Sequence, residues 1–258
     1  MTAGLPATDF TAYSGSWPYW RNRYASAQGL LELMSRSQIG RAVAASTRSI
    51  FVDAANGNDE VAALARQHPE HIVAFGSVNP LEGNVALAEV QRCATSLGMK
   101  GLRLYPAHHG YRLKPDPVLD EVLGAAGSLG LIVALPVRLI MTWGLPTVDL
   151  QQIGATVARF PRCTFVLGGV NYGELRDALE LMRDHRNLYF ETSCFQTLDG
   201  IRLLVDKVGA ERVLLGIGLP LQYPSPGLHK LLRAKISDRE KELIANGNAS
   251  RLLGEEVP

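Results

Sequence analysis

The chain has 258 residues, of which 47% are hydrophobic, 20% charged and 7% aromatic. It carries 26 basic and 25 acidic side chains, for a formal charge of +1. This balance excludes a disordered chain and lacks the basic excess of a phosphate-backbone binder, so nucleic acid is not an expected partner. The length suits one α/β barrel or one large all-β domain.

The cysteines and the N-terminal sequence indicate the cellular compartment of the protein. Cys93, Cys163 and Cys194 are widely spaced and form no CxxC pair, which argues against a disulfide framework or a zinc ribbon and favours a reducing environment. No basic stretch followed by an apolar core opens the sequence, and no run approaches the ~18 apolar residues of a membrane span. We therefore expect a cytoplasmic protein without a membrane partner.

Short apolar runs rich in β-branched residues alternate with longer helical patterns, which indicates βαβ units and a parallel sheet. Eight such runs predict strands over Ala7–Tyr13, Gly40–Thr47, His71–Asn79, Met99–Tyr105, Leu131–Leu139, Cys163–Val170, Asn187–Cys194 and Arg212–Leu219. The first is the weakest prediction, because it is short and only half apolar.

Apolar residues spaced three and four apart predict helices between the strands. These helices cover residues 59–67, 84–97, 117–129, 174–184 and 201–209, and Ser237 with Glu240 forms a capping box near the end. Eight strands with eight crossovers predict a (β/α)8 TIM barrel that forms a single domain over residues 1–258. An open doubly wound sheet is the alternative, but it normally has about five or six strands.

Functional groups of a TIM barrel lie at the C-terminal ends of its strands and in the loops that follow them. His108 and His109, in YPAHHGY after the predicted fourth strand, are on that side. The remaining histidines fall on the opposite face or in the last helical region: His68, His71, His185 and His229. The aromatic loop SGSWPYWRNRY, residues 14–24, either plugs the barrel mouth or contacts a ligand, and the plug is favoured.

Alternation along GLRLYP predicts that Arg103 and Tyr105 point into the barrel while Leu102 and Leu104 face the outer helices. By the same reasoning Arg138 points inward and its neighbours Val137 and Leu139 point outward.

Two inward arginines need partners, because an uncompensated buried guanidinium is costly. Glu191, at the end of the predicted seventh strand, is a candidate. The pattern fits either a buried ion-pair network or an anion site, since arginine offers fork-shaped donors for carboxylate or phosphate. Cys194 stands where a nucleophile could lie, but a buried thiol is favoured. GxSxG, GxxxxGK[ST] and HExxH motifs are missing.

Several segments in chain order carry a family resemblance. They are Asp9–Phe10, FGSVNP ending at Pro80, KGLRLYP at 100–106, GLIVALPV at 130–137, RVLLG at 212–216 and NASRLLG at 248–254. Together they resemble the amidohydrolase-2 family over nearly the whole chain. The resemblance implies a distorted TIM barrel of the metal-dependent hydrolase superfamily, whose members hydrolyse amides and lactones or decarboxylate aromatic acids.

Active members of that family bind a divalent metal through a His-x-His pair, two single histidines and an aspartate. The resemblance places these positions on Thr11, Tyr13, Ile140, Gly169 and Gly218. Such residues cannot supply the three or four donors that a zinc-type ion requires, so we expect no metal and no other cofactor. A relocated site of His108, His109 and Glu191 is the less favoured alternative, because adjacent residues on an extended segment diverge.

Glycine at the sixth- and eighth-strand positions predicts an enlarged barrel centre. The candidate lining residues are Tyr13, Asn79, Arg103, Tyr105, His108, His109, Arg138, Asn171, Glu191 and Gln222. Arginine, histidine and tyrosine in that number indicate an anionic, oxygen-rich small molecule such as a carboxylate or a lactone.

Two functions from different classes follow. The favoured one is a non-catalytic relative that binds a ligand or pairs with an active paralogue, because every metal-ligand position is lost together. The alternative is a metal-independent hydrolase or lyase acting on a small carboxylate, lactone or amide. His108, His109 or Glu191 would then be the catalytic group, and Arg103 or Arg138 would stabilise an oxyanion. A homodimer is the commonest oligomer to expect.

Overall fold

The computed structural model describes residues 6–140 and 144–255. Within these ranges eight parallel strands pair in chain order from β1 to β8. The strands are β1 (Thr8–Ser14), β2 (Arg41–Ser46), β3 (Ile72–Gly76), β4 (Gly101–Arg103), β5 (Ile132–Pro136), β6 (Phe165–Gly168), β7 (Leu188–Glu191) and β8 (Val213–Leu214).

Helices connect successive strands, and several begin at a side-chain cap. They are α1 (Ala27–Arg36), α2 (Arg48–Phe51), α3 (Ala54–Gln67), α4 (Asn84–Thr95), α5 (Pro106–His109), α6 (Pro117–Ser128), α7 (Leu150–Arg159), α8 (Leu175–Asp184), α9 (Gly200–Val208), α10 (Pro224–Leu232), α11 (Asp238–Glu242) and α12 (Asn248–Leu253). The side chains of Ser26, Asp53, Asp116 and Asp149 each accept a backbone N–H bond in the first turn of a helix. The Asp53 cap starts α3 five residues before the predicted boundary at Asp59.

Hydrogen bonds between the first strand and the chain after the last strand close the sheet. The Phe10 N–H donates to the Leu215 carbonyl at 2.8 Å, and the Tyr13 N–H donates to the Leu219 carbonyl at 2.6 Å. The sheet is therefore a barrel, and the predicted (β/α)8 fold is confirmed.

The same seam is held by a fully buried carboxylate, that of Asp9. It accepts the N–H of Thr11 at 3.0 Å, of Ile217 at 2.7 Å, of Gly218 at 3.3 Å and of Leu219 at 3.0 Å. These donors offset part of the cost of desolvating the charge, and burial still raises the pKa of Asp9.

The core is layered as the strand alternation requires. Leu102 and Leu104 pack outward against the helices, as predicted. Inside the lower barrel, Phe10 and Phe75 meet edge to face with their ring centroids 5.7 Å apart. Leu253 of α12 packs into the same inner cluster, so the last helix closes the lower end of the barrel.

The strands differ in length from their predictions. Seven of the described strands are shorter than predicted, because the apolar run continues into the turn after hydrogen bonding has stopped. The exception is β1, which spans seven residues although it was the weakest prediction. Its polar residues are satisfied internally: the Thr8 hydroxyl, for example, donates to the Asn246 side chain at 2.6 Å. In the described residues no helix is both long and apolar enough to cross a membrane.

Candidate functional site

Arg103 enters the barrel from the end of β4, in the predicted direction, and is 2% exposed. Its guanidinium donates to three main-chain carbonyls, those of Ala12 at 3.0 Å, Phe10 at 3.1 Å and Val43 at 3.3 Å. It also lies 5.2 Å from the centre of the Tyr13 ring, a cation–π arrangement. Carbonyl oxygens therefore satisfy Arg103, and Glu191 does not contact it.

Glu191 lies at the end of β7 and is 3% exposed. Its carboxylate accepts the Gly169 N–H at 2.8 Å, the Ser193 N–H at 2.7 Å and the Ser193 hydroxyl at 2.9 Å. A Cβ at Gly168 would lie 2.6 Å from one carboxylate oxygen, and a Cβ at Gly216 would overlap the other. Glu191 thus spans from the sixth strand to the eighth. The space predicted at Gly169 and Gly218 is closed by other groups, because an added Cβ would meet the Arg138 main chain at the first and the Gln222 side chain at the second.

Arg138 pairs with a different carboxylate from the one predicted. Its guanidinium donates to both oxygens of Glu174, one of them at 2.9 Å, and to the Gly169 carbonyl at 3.2 Å. A pairing with Glu191 is therefore wrong. Leu139 was expected to face outward but packs at the barrel mouth, because β5 ends at Pro136 and the alternation does not persist beyond it.

A set of buried apolar and aromatic side chains covers the polar interior, and we term it the mouth cluster. It consists of Tyr13, Trp17, Ile50, Tyr105, Leu139 and Ile140. Trp17 is 5% exposed and supplies the plug predicted for its loop, whereas Tyr19 and Trp20 are 54% and 43% exposed. Within the aromatic loop, Trp17 therefore closes the barrel mouth, while Tyr19 and Trp20 remain partly exposed to solvent.

The two histidines of α5 lie at the rim of this cluster. The Nε2 atom of His109 is 3.1 Å from the Ser49 carbonyl, and the His108 ring packs edge to face on Phe51 at 5.8 Å. Burial, reinforced by His109, lowers the pKa of His108 to about 4. Over residues 6–140 and 144–255, the His108 Nε2 atom and the Tyr105 hydroxyl have no hydrogen-bond partner.

The remaining predicted residues have local roles. Asn79 accepts the Leu81 N–H at 3.1 Å, and Asn171 accepts the Tyr172 N–H at 2.7 Å, so both cap short 3₁₀ turns after strands. Gln222 lines two open cavities beside the mouth.

One of these cavities, of about 610 Å³, lies between the loop after β7 and α10. Its polar lining includes Gln196, Gln222 and Lys230. The Lys230 ammonium donates to the carbonyls of Thr192 and Phe195, both at 2.8 Å, and burial lowers its pKa. Lys230 was missed because its position in a helical pattern gives no sign that it turns back towards a strand end.

Cys194 is fully buried beside this cavity, and burial raises the pKa of its thiol to about 12. The thiolate needed for nucleophilic attack is therefore suppressed at neutral pH. This environment matches the core thiol that was favoured from sequence.

The five positions at which the resemblance places metal ligands offer a poor donor set. Thr11 and Tyr13 are buried on β1, and Ile140 lies in the mouth cluster. Gly169 and Gly218 have no side chain and take φ values of +69° and +85°, which disfavour any other residue. Among the residues described, no three His, Cys, Asp or Glu side chains are grouped as a metal site, the relocated candidate included.

Comparison with known proteins identifies the family. The family model described as Amidohydrolase matches residues 10–254, so the chain belongs to the amidohydrolase-2 family. A similar curated protein is the 2-amino-3-carboxymuconate-6-semialdehyde decarboxylase of Dictyostelium discoideum, 22% identical over 234 residues. The match covers 76% of this chain but only 65% of the length of that relative.

Solved structures of low sequence identity share the fold. The 5-carboxyvanillate decarboxylase of Sphingomonas paucimobilis has a TM-score of 0.74 at 16% identity, covering 98% of this chain and 100% of that chain. The 2,6-dihydroxybenzoate decarboxylase of Rhizobium has a TM-score of 0.72 at 16% identity, covering 97% and 99%. The 4-oxalomesaconate hydratase of Rhodopseudomonas palustris has a TM-score of 0.72 at 18% identity, covering 96% and 95%.

Substituting Gly216 tests the placement of Glu191. In Gly216→Ala the new methyl group overlaps the Glu191 carboxylate, so we expect the free energy of unfolding to fall by about 1–3 kcal/mol, as for other overpacked sites. The matched control is Gly124→Ala within α6, where an added Cβ meets nothing within 4 Å. That variant should gain up to about 1 kcal/mol through helix propensity. Urea unfolding followed by circular dichroism measures both, and a neutral or stabilising Gly216→Ala would contradict the placement.

The environment of His108 predicts an acid-sensitive contribution to stability. Its folded-state pKa of about 4 lies below the ordinary value of 6.5, so the unfolded chain takes up the proton first. The contribution is therefore complete above pH 6.5 and is lost as the pH falls towards about 4. We expect the free energy of unfolding of His108→Gln to depend less on pH across this window. An NMR titration of the native ring should give a midpoint near 4, and a midpoint near 6.5 would show that the ring is solvated.

Proposed function

We propose that this chain is an amidohydrolase-2 barrel that binds a small anionic molecule at its C-terminal face and does not carry out the family's metal-dependent chemistry. One observation carries the proposal: protein groups fill the barrel below its mouth. Tyr13, Arg103, Tyr105 and Glu191 are each between 0% and 3% exposed, and main-chain groups satisfy the charges of Arg103 and Glu191.

The residues at the family's ligand positions do not fit a divalent metal. Zinc-type sites need three or four nitrogen, sulfur or carboxylate donors, whereas Thr11 and Tyr13 offer two neutral oxygens and the other three positions offer none. The space is committed as well, since the N–H of Gly169 donates to Glu191 and the N–H of Gly218 donates to Asp9. No step of the proposed function therefore involves a metal.

Ligand binding is supported by the open side of the barrel. The cavity beside Lys230 has a mixed polar and apolar lining with no aspartate or glutamate among the residues described, and Lys230 is the one basic side chain in it. Of the residues predicted to line a ligand site, Gln222 borders this cavity, and Asn79, His108, His109 and Asn171 stand at the rim. An anion at this face would meet donors without displacing the buried core.

A second candidate is a metal-independent hydrolase or lyase. It is favoured by His108, whose Nε2 atom has no hydrogen-bond partner among the described residues and whose imidazole is neutral at pH 7. The lowered pKa of about 4 makes the ring a weak base, which limits this role. The decarboxylases among the similar proteins make this chemistry worth testing. Against it, Arg103 and Arg138 are both engaged by protein acceptors, so neither is free to stabilise an oxyanion.

The proposal also includes the oligomeric state of the chain. The favoured arrangements are a homodimer or a complex with a catalytically active paralogue, which would give a non-catalytic barrel a biochemical role.

Metal content and turnover test the proposal together. Protein purified without chelator or affinity tag should contain far less than one equivalent of zinc, manganese or iron by inductively coupled plasma analysis. It should show no turnover of lactones, amides or aromatic acids, with or without added metal. Near-stoichiometric metal would overturn the proposal. Chelator-insensitive turnover that His108→Ala abolishes would replace it with the second candidate.

A further inference from the structure

A cleft of about 530 Å³ lies outside the barrel, between the loop after β1 and the loop after β8. Its walls include aromatic rings and guanidinium groups, those of Trp20, Arg21, Arg23, Tyr24 and Tyr223. It borders the mouth cluster, since the Trp20 ring packs on Trp17 with the ring centroids 5.5 Å apart, but no member of that cluster lines the cleft. The volume is in the usual range for small-molecule sites.

The cleft carries positive charge that the protein does not neutralise. Within the described parts of the chain, Arg21 takes part in no ion pair or hydrogen bond, and Arg23 donates only to the neutral hydroxyl of Tyr24. No aspartate or glutamate of the described residues lines the cleft. Paired guanidinium groups are the donors best matched to phosphate oxygens, because their planar forks bind such oxygens bidentately.

Part of the aromatic surface of the cleft is open to solvent. Trp20 is 43% exposed and Tyr223 is 85% exposed, one on each wall. The Tyr24 ring is already covered, since the Arg23 guanidinium lies 4.4 Å from its centre. Exposed rings on facing walls can stack on a planar ring of a ligand, which contributes affinity at low conformational cost.

The two walls are tied together before any ligand arrives. The Asn22 side-chain amide donates to the Pro220 carbonyl at 2.7 Å, joining the loop after β1 to the loop after β8. The Asn22 side-chain oxygen accepts the Tyr24 N–H at 2.9 Å and fixes the turn that presents Arg23. A preformed cleft loses little entropy on binding.

We propose that this cleft binds a planar heteroaromatic molecule that carries a phosphate, of which a nucleoside monophosphate is the simplest form. Arg21 and Arg23 hold the phosphate, and Trp20 and Tyr223 stack on the ring. The inference goes beyond the proposed function, because it assigns a second ligand site next to the cavity beside Lys230.

Isothermal titration of the purified chain with three probes tests the inference. Adenosine monophosphate carries both ring and phosphate, adenosine carries only the ring, and ribose 5-phosphate carries only the phosphate. We expect the monophosphate to bind at least about tenfold more tightly than either partial probe, because each recognition element contributes separately. No binding of the monophosphate, or equal affinity for ribose 5-phosphate, would overturn the inference.

Variants assign the binding to the cleft. Arg21→Gln with Arg23→Gln should weaken monophosphate binding by at least about tenfold and leave adenosine unchanged, since only charge-assisted bonds are lost. Trp20→Leu should weaken the monophosphate and adenosine alike. Arg66→Gln is the matched control, an exposed arginine in the last turn of α3, and it should bind as the wild type does.

Equal losses in the Arg66→Gln control and the double variant would show binding driven by general charge and would refute the site. Trp20 is 43% exposed, and Arg21 and Arg23 are also exposed, so we expect these variants to fold. Thermal melting verifies that they do. Because the cleft lies outside the barrel, turnover in the assay above would overturn the non-catalytic function while leaving this binding result intact. Failure of the titration alone would remove the cleft and leave the metal-free barrel standing.

Discussion

The Asp9 carboxylate is the constraint on which the rest of the molecule depends. It lies where the first strand of the barrel meets the segment after the last strand, and it accepts hydrogen bonds from the N–H groups of Ile217, Gly218 and Leu219. Those donors belong to the segment that leaves β8, so their capture brings the end of the sheet against its beginning. An apolar side chain at this position would leave several buried N–H groups without an acceptor, which is among the costliest defects in a core.

Closure at this seam sets the character of the interior. It brings Gly216 beside β7, where the absence of a side chain admits the Glu191 carboxylate. Arg103 occupies the opposite part of the barrel, under Tyr13. The two opposite charges lie in one interior but are satisfied separately by main-chain groups, and the mouth cluster covers both. Arg103 and Glu191 therefore bind groups of the protein itself, and the ligand site that we propose lies outside this interior.

The sequence was informative where local rules govern the structure and uninformative where tertiary contacts do. Alternation placed Arg103 correctly because β4 is regular there, but it failed at Leu139, since β5 ends at Pro136. Glycine at 218 suggested open space, yet the Gln222 side chain, four residues further along, folds back over it, and no periodicity predicts that path. The pairing of Arg138 with Glu174 and the return of Lys230 to the end of β7 depend on loop paths that no periodicity encodes. The family motifs were sufficient to predict the fold, whereas the contacts within the site became clear only from the three-dimensional structure.

If protein groups and not a metal ion occupy the upper barrel, a crystal grown with manganese chloride and without chelator will show it in an anomalous difference map. We expect no anomalous peak at the barrel mouth and clear density for the Glu191 carboxylate on the Gly169 N–H. A peak within bonding distance of two or more of Tyr13, Asp9 and Glu191, with Glu191 turned away from Gly169, would contradict it.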